Sequence, residues 1–488
     1  MEPQVRRVRR VVIGIVAFAL ALTTIAAARA GDRPTQTRSS ELPESSTSAT
    51  GAPAGPQNIV LILTDDQRFD TLWAMPTVES EIVAHGITFT SGYVSNPLCC
   101  PSRSSILTGE YSHTDGVYTN IATQPYGGFP AFHDRSTIAT WLHAAGYRTG
   151  LIGKYLNGYH GSYLPPGWDR WFVTWEEGAY YDYKADANGR VLSYGSAPGD
   201  YGTQVLGNKA ADFIRTTDPG QPLFLYFAPH APHAPATPGP GDERAFSNLP
   251  RWRPPSFSEA DVSDKPAYVR AHGPVSPGKS DQIERTRRNE YRCLLSVDRQ
   301  VRKIMDALKA TGRLSNTMIV FMSDNGYLWG EHRWYAKQVP YEEAMRVPVV
   351  IRDDALIDAP RTDGHLVVNI DMAPTFAALA GVKAPKADGR SLLPLITSTD
   401  APWRNDFLME LLNLGGSNGA PTYCGVHSKR YVYVDYVTGE EELYDLARDP
   451  FELQNVVHSP AYADVLRSLR ARLRVLCDPA PPGFTLSY

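Results

Sequence analysis

The chain of 488 residues has little cysteine, little excess charge and no repeated segment. Five cysteines are too few for a disulfide scaffold, and because the number is odd, at least one thiol is unpaired if the protein is exported. The formal charge of −4 shows no excess of basic residues that could bind phosphates, so no nucleic acid partner is expected. A hydrophobic fraction of 42% excludes disorder of the whole chain. The length suits one large and one small domain, or two to three domains.

The first thirty residues have the pattern of a secretory signal peptide. Four arginines precede an apolar run over 11–28, and Ala28-Arg29-Ala30 is typical of a cleavage site. The alternative is an uncleaved anchor, since the run approaches the ~18 residues that span a bilayer. Residues 31–56 are rich in Ser, Thr, Pro and Gly and predict a disordered linker. We therefore expect a secreted or extracytoplasmic protein, whose formal charge becomes −8 after cleavage.

Short apolar runs alternate with helical segments after Gln57, which predicts an α/β fold with a large, mostly parallel sheet flanked by helices. The runs predicted as strands are 58–63, 149–152, 223–227, 317–322 and 347–351, and the clearest predicted helix is 289–311. Beyond residue 394, short runs with turn signals predict a small antiparallel α+β unit. We expect a catalytic domain over 57–394 and a C-terminal subdomain over 395–488.

Polar side chains follow four of the predicted strands. These residues are Asp65 and Asp66, then Lys154, then His230 and His233, and finally Asp324 and Asn325. Each group alone is typical of an ordinary loop. In parallel sheets, however, ligands bind at the carboxyl ends of the strands, so four such groups at one edge indicate an active site.

Among these residues, Asp65, Asp66 and Asp324 are carboxylates and Asn325 is an amide, so these four offer hard oxygen ligands. Asp65, Asp66 and Asp324 side by side without a cation would repel one another strongly. Because the donors are all oxygen, Ca²⁺ or Mg²⁺ is favoured over zinc. Solvent-exposed turns are the alternative for each pair taken alone.

The segment Cys99-Cys100-Pro101-Ser102-Arg103 predicts the start of a helix, because proline is favoured in the first turn. A cysteine at that position faces the helix N-terminus, which favours anions, and Arg103 would add a second anion contact. A vicinal disulfide, or two small buried thiols, is an equally acceptable interpretation of the spacing alone.

This segment, followed by Leu107-Thr108-Gly109, resembles the signature of the type I sulfatases. The resemblance extends over nearly the whole chain after Gln57, and it is closest to the N-acetylglucosamine-6-sulfatase branch. Further matching segments are Asp65-Asp66-Gln67, Gly153-Lys154-Tyr155-Leu156-Asn157, Pro166-Gly167-Trp168, Pro229-His230, Pro232-His233, Ser323-Asp324-Asn325-Gly326, Lys337 before Tyr341-Glu342, and Asn369-Ile370-Asp371. The resemblance implies the alkaline-phosphatase-like sulfatase fold.

The resemblance also implies a role for each site residue. Cys99 would be oxidised to Cα-formylglycine by a formylglycine-generating enzyme and become the nucleophile. One Ca²⁺ would be held by Asp65, Asp66, Asp324 and Asn325, with the modified Cys99 as a further ligand. Arg103 and Lys154 would steady the formylglycine hydrate, and His233 and Lys337 would contact the sulfate, with His230 as a less secure candidate. One departure is Leu156, where many arylsulfatases have a histidine.

The chemistry agrees with this scheme. A thiol would form a stable thiosulfate ester, whereas an aldehyde hydrate has one hydroxyl to attack sulfur and a second whose deprotonation expels sulfate. Calcium and the cationic side chains would neutralise charge on the transferred group, and a histidine would protonate the leaving alcohol. The expected substrate is a sulfated small molecule or glycan, such as 6-sulfated N-acetylglucosamine, and no stable protein partner is predicted.

Cysteines and aromatic residues elsewhere have structural interpretations. The C-terminal unit resembles the C-terminal subdomain of sulfatases, and Cys424 and Cys477, both within it, form a plausible disulfide in an oxidising compartment. Cys293 is expected to be a buried thiol. The aromatic stretch 168–183 is typical of loop packing, with sugar stacking as the alternative. The segment 235–278 is expected to be a long surface excursion near the pocket that influences substrate choice.

Two other functions remain open. The first is a phosphodiesterase or phosphonate monoester hydrolase of the same superfamily, whose members usually place a histidine beside the second metal aspartate. Asn325 stands at that position here and favours the sulfatase. The second is a catalytically silent carbohydrate-binding relative, in which Cys99 would stay a cysteine.

Overall fold

A computed structural model describes residues 56–161, 163–175, 180–415 and 419–488 of the chain. The expected signal peptide over 1–30 and the expected linker up to residue 55 lie outside the described residues. No helix in the described part of the chain is both long and apolar enough to cross a bilayer.

The strands and helices alternate along most of the chain. The strands are β1 Asn58–Thr64, β2 Ile87–Phe89, β3 Gly92–Tyr93, β4 Arg148–Gly153, β5 Arg170–Thr174, β6 Lys184–Ala187, β7 Arg190–Ser193, β8 Leu223–Ala228, β9 Thr317–Ser323, β10 Leu328–Trp329, β11 Tyr335–Ala336, β12 Val349–Asp353, β13 Arg361–Asp363, β14 Val367–Val368, β15 Asp406–Leu411, β16 Tyr423–Ser428, β17 Tyr431–Tyr436 and β18 Glu441–Asp445. The helices are α1 Pro76–Glu81, α2 Cys99–Thr108, α3 Ser112–Asp115, α4 Gly128–Ala131, α5 Ile138–Ala144, α6 Gly202–Arg215, α7 Ala267–Arg270, α8 Pro277–Ala310, α9 Glu342–Met345, α10 Met372–Leu379, α11 Leu393–Thr397 and α12 Ala463–Leu476.

The main sheet has ten strands in the order β13-β2-β12-β9-β1-β8-β4-β5-β6-β7. Its central strands β9, β1, β8, β4 and β5 are parallel to one another. Strand β12 is antiparallel to β9, and β6 is antiparallel to β5 on the other side. The prediction of a large, mostly parallel sheet is therefore confirmed, and the strands predicted to carry polar residues are four adjacent strands at its centre.

Both faces of the sheet are buried, which explains why β1 is a continuous apolar run. Ile59, Leu61 and Leu63 belong to one hydrophobic cluster, whereas Val60 and Ile62 belong to another on the opposite face. Helices α2, α5 and α10 contribute to the first cluster, and α1, α6 and α8 contribute to the second. Since successive residues of a strand point to opposite faces, a strand covered on both sides must be apolar throughout.

The small antiparallel sheet has the order β15-β16-β17-β18, as predicted for the C-terminal region. A disulfide joins Cys424 on β16 to Cys477, which follows α12. The arginine-bearing face of α12 is not simply a solvent-exposed surface. Arg470 pairs with Glu441 and Arg472 pairs with Asp406, so two of its arginines bind the sheet edge.

Two other sequence predictions need correction. Helix α8 begins at Pro277, twelve residues before the predicted start, because Ser276 caps it by accepting from the Lys279 N–H. The segment 235–278 is not only a surface excursion, since Ser256, Lys265 and Val269 within it are fully buried.

The aromatic stretch after residue 168 packs mainly in the core. Trp171 and Tyr183 are buried, and Trp168 stacks against Phe224 with ring centroids 5.7 Å apart. Core packing therefore accounts for Trp168, Trp171 and Tyr183, whereas Trp175 and Tyr181 are only partly buried, so sugar stacking stays a prediction for these two rings.

Candidate active site

The predicted site residues meet at the carboxyl edge of the sheet. Thr64 at the end of β1 is in register with Ser323 at the end of β9. The Asp324 N–H donates to the Thr64 carbonyl oxygen at 3.0 Å, and the Asp66 N–H donates to Asp324 Oδ1 at 3.2 Å. The strand register itself therefore places Asp65, Asp66 and Asp324 side by side.

Two unusual backbone conformations direct side chains into this site. Asp66 has φ 64°, a left-handed conformation that non-glycine residues rarely adopt and that is common at functional sites. Gly153, at the end of β4, has φ 128°, and a Cβ added there would lie 1.9 Å from the Ala228 carbonyl oxygen. Only glycine fits this close approach of β4 to β8, which places the following Lys154 at the sheet edge.

Helix α2 presents Cys99 in its first turn, and the thiol is buried. The Cys100 N–H donates to Asn120 Oδ1 at 2.8 Å, which satisfies one of the free N–H groups at this helix end. Two residues further along, Ser102 Oγ accepts from Asn369 Nδ2 at 3.0 Å. These contacts fix the position from which Cys99 faces the carboxylates.

A network of ion pairs connects the three buried aspartates to three buried cations. Lys154 Nζ lies 2.6 Å from Asp65 Oδ2, and Arg103 Nε lies 2.7 Å from Asp324 Oδ2. Lys337 Nζ binds Asp66 Oδ1 and lies 2.7 Å from Cys99 Sγ. Each aspartate therefore has its own cationic partner.

The electrostatic environment shifts the pKa values of several of these groups. Burial alone would raise the pKa of Asp65, but Lys154, His233, Arg103 and His230 hold it well below its usual range. Burial, reinforced by the neighbouring Asp65 carboxylate, raises the pKa of Asp324. Burial raises the pKa of the Cys99 thiol to about 12, although Lys154 and Lys337 act in the opposite direction. An unmodified Cys99 is therefore a neutral thiol and a weak nucleophile.

The two candidate histidines lie next to each other but differ in exposure. His230 Nε2 and His233 Nδ1 are 3.2 Å apart. His230 is buried, with Nδ1 3.7 Å from Asp65 Oδ2, whereas 24% of the His233 side chain is exposed and its Nε2 lies 3.6 Å from Asp66 Oδ2. Burial, followed by the adjacent His233, lowers the pKa of His230 well below its usual value. His233 is thus the histidine that faces the opening.

The donor set fits a calcium ion. Ligand atoms of Asp65, Asp66, Cys99 and His233 all lie within 4.8 Å of one another. Asn325 joins this group, since its Nδ2 donates to Asp66 Oδ1 at 2.6 Å, and its Oδ1 accepts from Lys337 Nζ at 3.3 Å. The Lys337 ammonium contacts a carboxylate, an amide oxygen and a thiol of this group, so positive charge already lies beside these donors. Buried carboxylate and amide oxygens are the ligands that calcium prefers.

All ten predicted site residues therefore lie in one connected cluster, whereas the positioning residues were missed. Nothing in the local sequence marks Asn120 as a partner of the helix α2 N-terminus. Asn369 stood in a matching segment without an assigned role. Leu156 is buried in the core, so the position that carries a histidine in many arylsulfatases supplies no proton here.

Comparison with known proteins identifies the family. Residues 57–382 match the family model described as Sulfatase. This chain belongs to the sulfatase family. Residues 330–478 also match a model described as N-sulphoglucosamine sulphohydrolase, C-terminal. The predicted resemblance is thereby confirmed over both parts of the described chain.

Similar proteins are named as sulfatases. The chain is 34% identical to human N-acetylglucosamine-6-sulfatase over 382 residues, which are 75% of this chain and 69% of that protein. It is 36% identical to an extracellular sulfatase SULF-1 homolog of Drosophila melanogaster over 368 residues, but these are 72% of this chain and 33% of that protein. This chain thus spans about a third of the fruit-fly relative.

Solved structures share the fold. A structure in complex with its substrate D-glucosamine-2-N,6-O-disulfate matches with a TM-score of 0.78 and 25% identity, covering 88% of this chain and 99% of that one. The phosphonate monoester hydrolase of Agrobacterium radiobacter matches with a TM-score of 0.67 and 20% identity, covering 86% and 95%. The second likeness is one of fold alone.

Proposed function

We propose that this protein hydrolyses sulfate monoesters of sulfated sugars, with 6-O-sulfated glucosamine residues as the favoured class. The observation that carries the proposal is the position of Cys99. Its Sγ lies at the N-terminus of α2, 2.7 Å from Lys337 Nζ and 3.6 Å from Asp65 Oδ1, inside the cluster that fits a calcium ion. Conversion of this residue to Cα-formylglycine would place the new oxygen atoms where the thiol now lies.

Two absent groups supply part of the chemistry. When present, the formylglycine hydrate supplies the attacking oxygen and the hydroxyl whose deprotonation expels sulfate, and one Ca²⁺ supplies positive charge beside them. We propose Asp65, Asp66, Asp324, Asn325 and the modified residue 99 as the calcium ligands.

The chain's own cations hold the anionic group in place. Lys154 and Arg103 both contact Asp65, whose Oδ1 lies 3.6 Å from Cys99 Sγ. The two cations would therefore orient the side chain of residue 99. Lys337 reaches the same side chain from the opposite loop and would bind a sulfate oxygen. Because these cations are buried and already oriented, they need not reorganise as charge develops on the sulfate.

His233 is the proposed general acid. Its Nδ1 lies 2.7 Å from the Ala234 carbonyl oxygen, which can only accept, so this contact is a hydrogen bond when Nδ1 carries a proton. Nε2 is then the atom that faces the site, 3.6 Å from Asp66 Oδ2, and it can give a proton to the leaving group only from the imidazolium form, in which both ring nitrogens are protonated. His230 would hold the His233 ring in position, because its Nε2 contacts His233 Nδ1 and its Nδ1 lies near the Asp65 carboxylate.

The substrate class is supported by a cavity of about 650 Å³ next to the loop that carries Lys337. Its lining includes His272, Lys279, Arg333, Trp334 and Tyr335, and the Trp334 Nε1 donates to the Lys337 carbonyl oxygen at 3.2 Å. Aromatic rings and basic groups together suit a sugar that carries further anionic groups. Tyr268 and residues 272–276 of the segment predicted to influence substrate choice line this cavity.

Location and maturation complete the proposal. We propose export by the signal peptide over 1–30, followed by a linker over 31–56, a catalytic domain over 57–394 and a C-terminal subdomain over 395–488. The names of extracellular relatives and the Cys424–Cys477 disulfide support an oxidising compartment. A formylglycine-generating enzyme would be the maturation partner.

A substrate comparison tests the proposed function. Rates are measured on glucosamine 6-O-sulfate, on an aryl sulfate and on an aryl phosphate diester, with the Cys99→Ala variant as a control for contaminating activity. We expect sulfate ester hydrolysis that Cys99→Ala abolishes. A large preference for the phosphate diester would instead support the phosphonate or phosphodiester hydrolase, and sugar binding without turnover would support a silent relative.

A further inference from the structure

A second group of metal-ligating side chains lies outside the active site. It consists of His332, which follows β10, Glu343 in α9, and Glu452, which follows β18, and we call it the His–Glu cluster. One ligand atom from each residue lies within 4.8 Å of the other two. The exposed fractions are 0%, 8% and 1%, so water has almost no access to these side chains.

Each of the three residues has one buried polar atom without a hydrogen-bond partner. These atoms are His332 Nε2, Glu343 Oε2 and Glu452 Oε1. His332 Nε2 lies 3.8 Å from Glu343 Oε2. A buried polar atom without a partner costs about 1–3 kcal/mol, so three of them in one place need an explanation.

The other polar atom of each residue is held by the protein. His332 Nδ1 lies 2.8 Å from Glu259 Oε2, Glu343 Oε1 accepts from Ser256 Oγ at 3.4 Å, and Glu452 Oε2 accepts from the Glu342 N–H at 2.9 Å. A carboxylate that accepts from one imidazole nitrogen leaves the other nitrogen free to bind a metal, which is the usual arrangement around metal-ligating histidines. In each of the three side chains, one polar atom is thus fixed by the protein, and the other has no hydrogen-bond partner.

The nearest lysine contacts the edge of the cluster and not its free carboxylate oxygens, since Lys265 Nζ lies 2.7 Å from the Glu452 carbonyl oxygen and 3.4 Å from Glu259 Oε1. No lysine or arginine in the described ranges forms an ion pair with Glu343 or Glu452. Burial, followed by the nearby Glu331, raises the pKa of Glu343 to about 7, and burial with Glu342 and Glu343 raises the pKa of Glu452 well above its usual value. The active site differs here, because each of its aspartates has a cationic partner.

We propose that the His–Glu cluster binds one first-row divalent transition metal ion, of which Zn²⁺ is the representative. One imidazole nitrogen with two carboxylate oxygens is a donor set that zinc accepts, whereas calcium and magnesium prefer oxygen alone. Zinc–ligand distances of about 2.1 Å place tetrahedral ligand atoms about 3.4 Å apart, so atoms that lie within 4.8 Å of one another need to approach by at most about 1.4 Å.

Such an ion would connect two parts of the protein. His332 and Glu343 flank the loop that carries Lys337, whereas Glu452 belongs to the C-terminal segment. The ion would stabilise the folded protein without touching the reacting groups. Zinc should therefore raise the unfolding temperature in proportion to its occupancy, even where Cys99 is unmodified.

The test is a zinc titration of the full chain with excess calcium present to fill the active site. Bound zinc is measured by elemental analysis after dialysis, for the wild type and for Glu343→Gln and Glu452→Gln, which keep the side-chain shape. Glu290→Gln is the matched control, because Glu290 is also a buried carboxyl, accepting from Trp329 Nε1 at 2.6 Å outside the cluster. X-ray absorption then identifies the ligands of the bound zinc.

The expected result is about one zinc per chain in the wild type and in Glu290→Gln, and at least a tenfold weaker affinity in the two cluster variants. The absorption spectrum should show one imidazole and oxygen ligands. Equal zinc binding in all variants, or a sulfur ligand, would contradict the proposal, since sulfur places the ion at a cysteine. A protein that binds no zinc would also contradict it and would assign protons to the cluster carboxyls instead.

Discussion

The active site and the C-terminal sheet both bury carboxylates, but they compensate the charge in different ways. At the sheet edge, Asp65, Asp66 and Asp324 pair with buried cations. In the C-terminal region, Glu442 instead accepts hydrogen bonds from the neutral phenols of Tyr341, Tyr436 and Tyr444. Charge is therefore concentrated where an anion is to be bound, whereas neutral donors suffice where a carboxylate only holds the fold.

The pKa values of Asp65 and Glu442 follow this difference, whereas burial and the neighbouring Asp65 raise the pKa of Asp324 despite its cationic partner. Cationic partners hold the pKa of Asp65 well below its usual range despite its complete burial. Burial raises the pKa of Glu442 even though three phenols donate to it. Glu290, whose donor is a single indole, has a pKa raised by burial to about 8. Fewer and weaker donors thus leave a buried carboxyl closer to neutrality.

The largest expected effect comes from removing a carboxylate at the active site. Asp324→Asn keeps the shape but removes a proposed calcium ligand and the charge that faces Arg103. We expect loss of bound calcium and a fall in kcat/KM of about 10³-fold or more. Elemental analysis and sulfate release measure the two effects. Asp353→Asn, a buried carboxylate on β12 that accepts from Gln57, is the matched control. Normal calcium content and turnover in Asp324→Asn would contradict the metal assignment.

The two histidines give the next largest effect. His233→Ala should reduce kcat on a sugar sulfate about 10²- to 10³-fold, because the departing alkoxide then lacks a proton donor. The loss should be much smaller on an aryl sulfate, whose phenolate leaves without protonation. His230→Ala should lower both rates to a similar extent, since His230 acts through its neighbour. If only His230→Ala lost more rate on the sugar sulfate than on the aryl sulfate, His230 and not His233 would be the general acid.

A change in the C-terminal region should affect stability rather than chemistry. The Cys424–Cys477 disulfide closes a chain segment of 53 residues, so its loss in Cys424→Ser/Cys477→Ser should lower the free energy of unfolding by about 4 kcal/mol. Denaturant titration measures this change, and the kcat of the folded fraction should stay within about twofold. Cys100→Ser, at a buried thiol beside the catalytic residue, is the comparison. A large loss of kcat in the double variant would show that the two regions are coupled.

The smallest effect concerns pH. The folded state keeps a proton on Glu290 up to about pH 8, whereas the unfolded chain loses it near pH 4.5. The folded state therefore binds more protons in this interval, and stability falls as the pH rises, by up to roughly 1.4 kcal/mol per unit. Glu290→Gln should flatten the profile between pH 5 and 8, as measured by urea unfolding. An unchanged profile would show that Glu290 is ionised in the folded protein.

The sequence predicted the parts of the fold that depend on local patterns. Apolar, β-branched runs such as 58–63 favour strands covered on both faces, and the polar residues after parallel strands are expected to share one edge of the sheet. The motif around Cys99 added the catalytic residues through the family resemblance. These predictions agree with the sheet order and with the single cluster that contains all ten site residues.

The features that the sequence did not predict depend on distant contacts. Helix α8 begins at Pro277 in a polar stretch without apolar periodicity, so its first turns were not visible. Glu452 meets His332 only because the C-terminal segment packs against the loop after β10. Arg470 and Arg472 looked like surface charges, and their partners Glu441 and Asp406 are far away in sequence.

The most direct test of the account is peptide mass analysis of residue 99 together with sulfate release from the same preparation. The account predicts an aldehyde in place of the Cys99 thiol, with turnover of glucosamine 6-O-sulfate that rises in proportion to the modified fraction. Full turnover by protein in which Cys99 remains a thiol would contradict it.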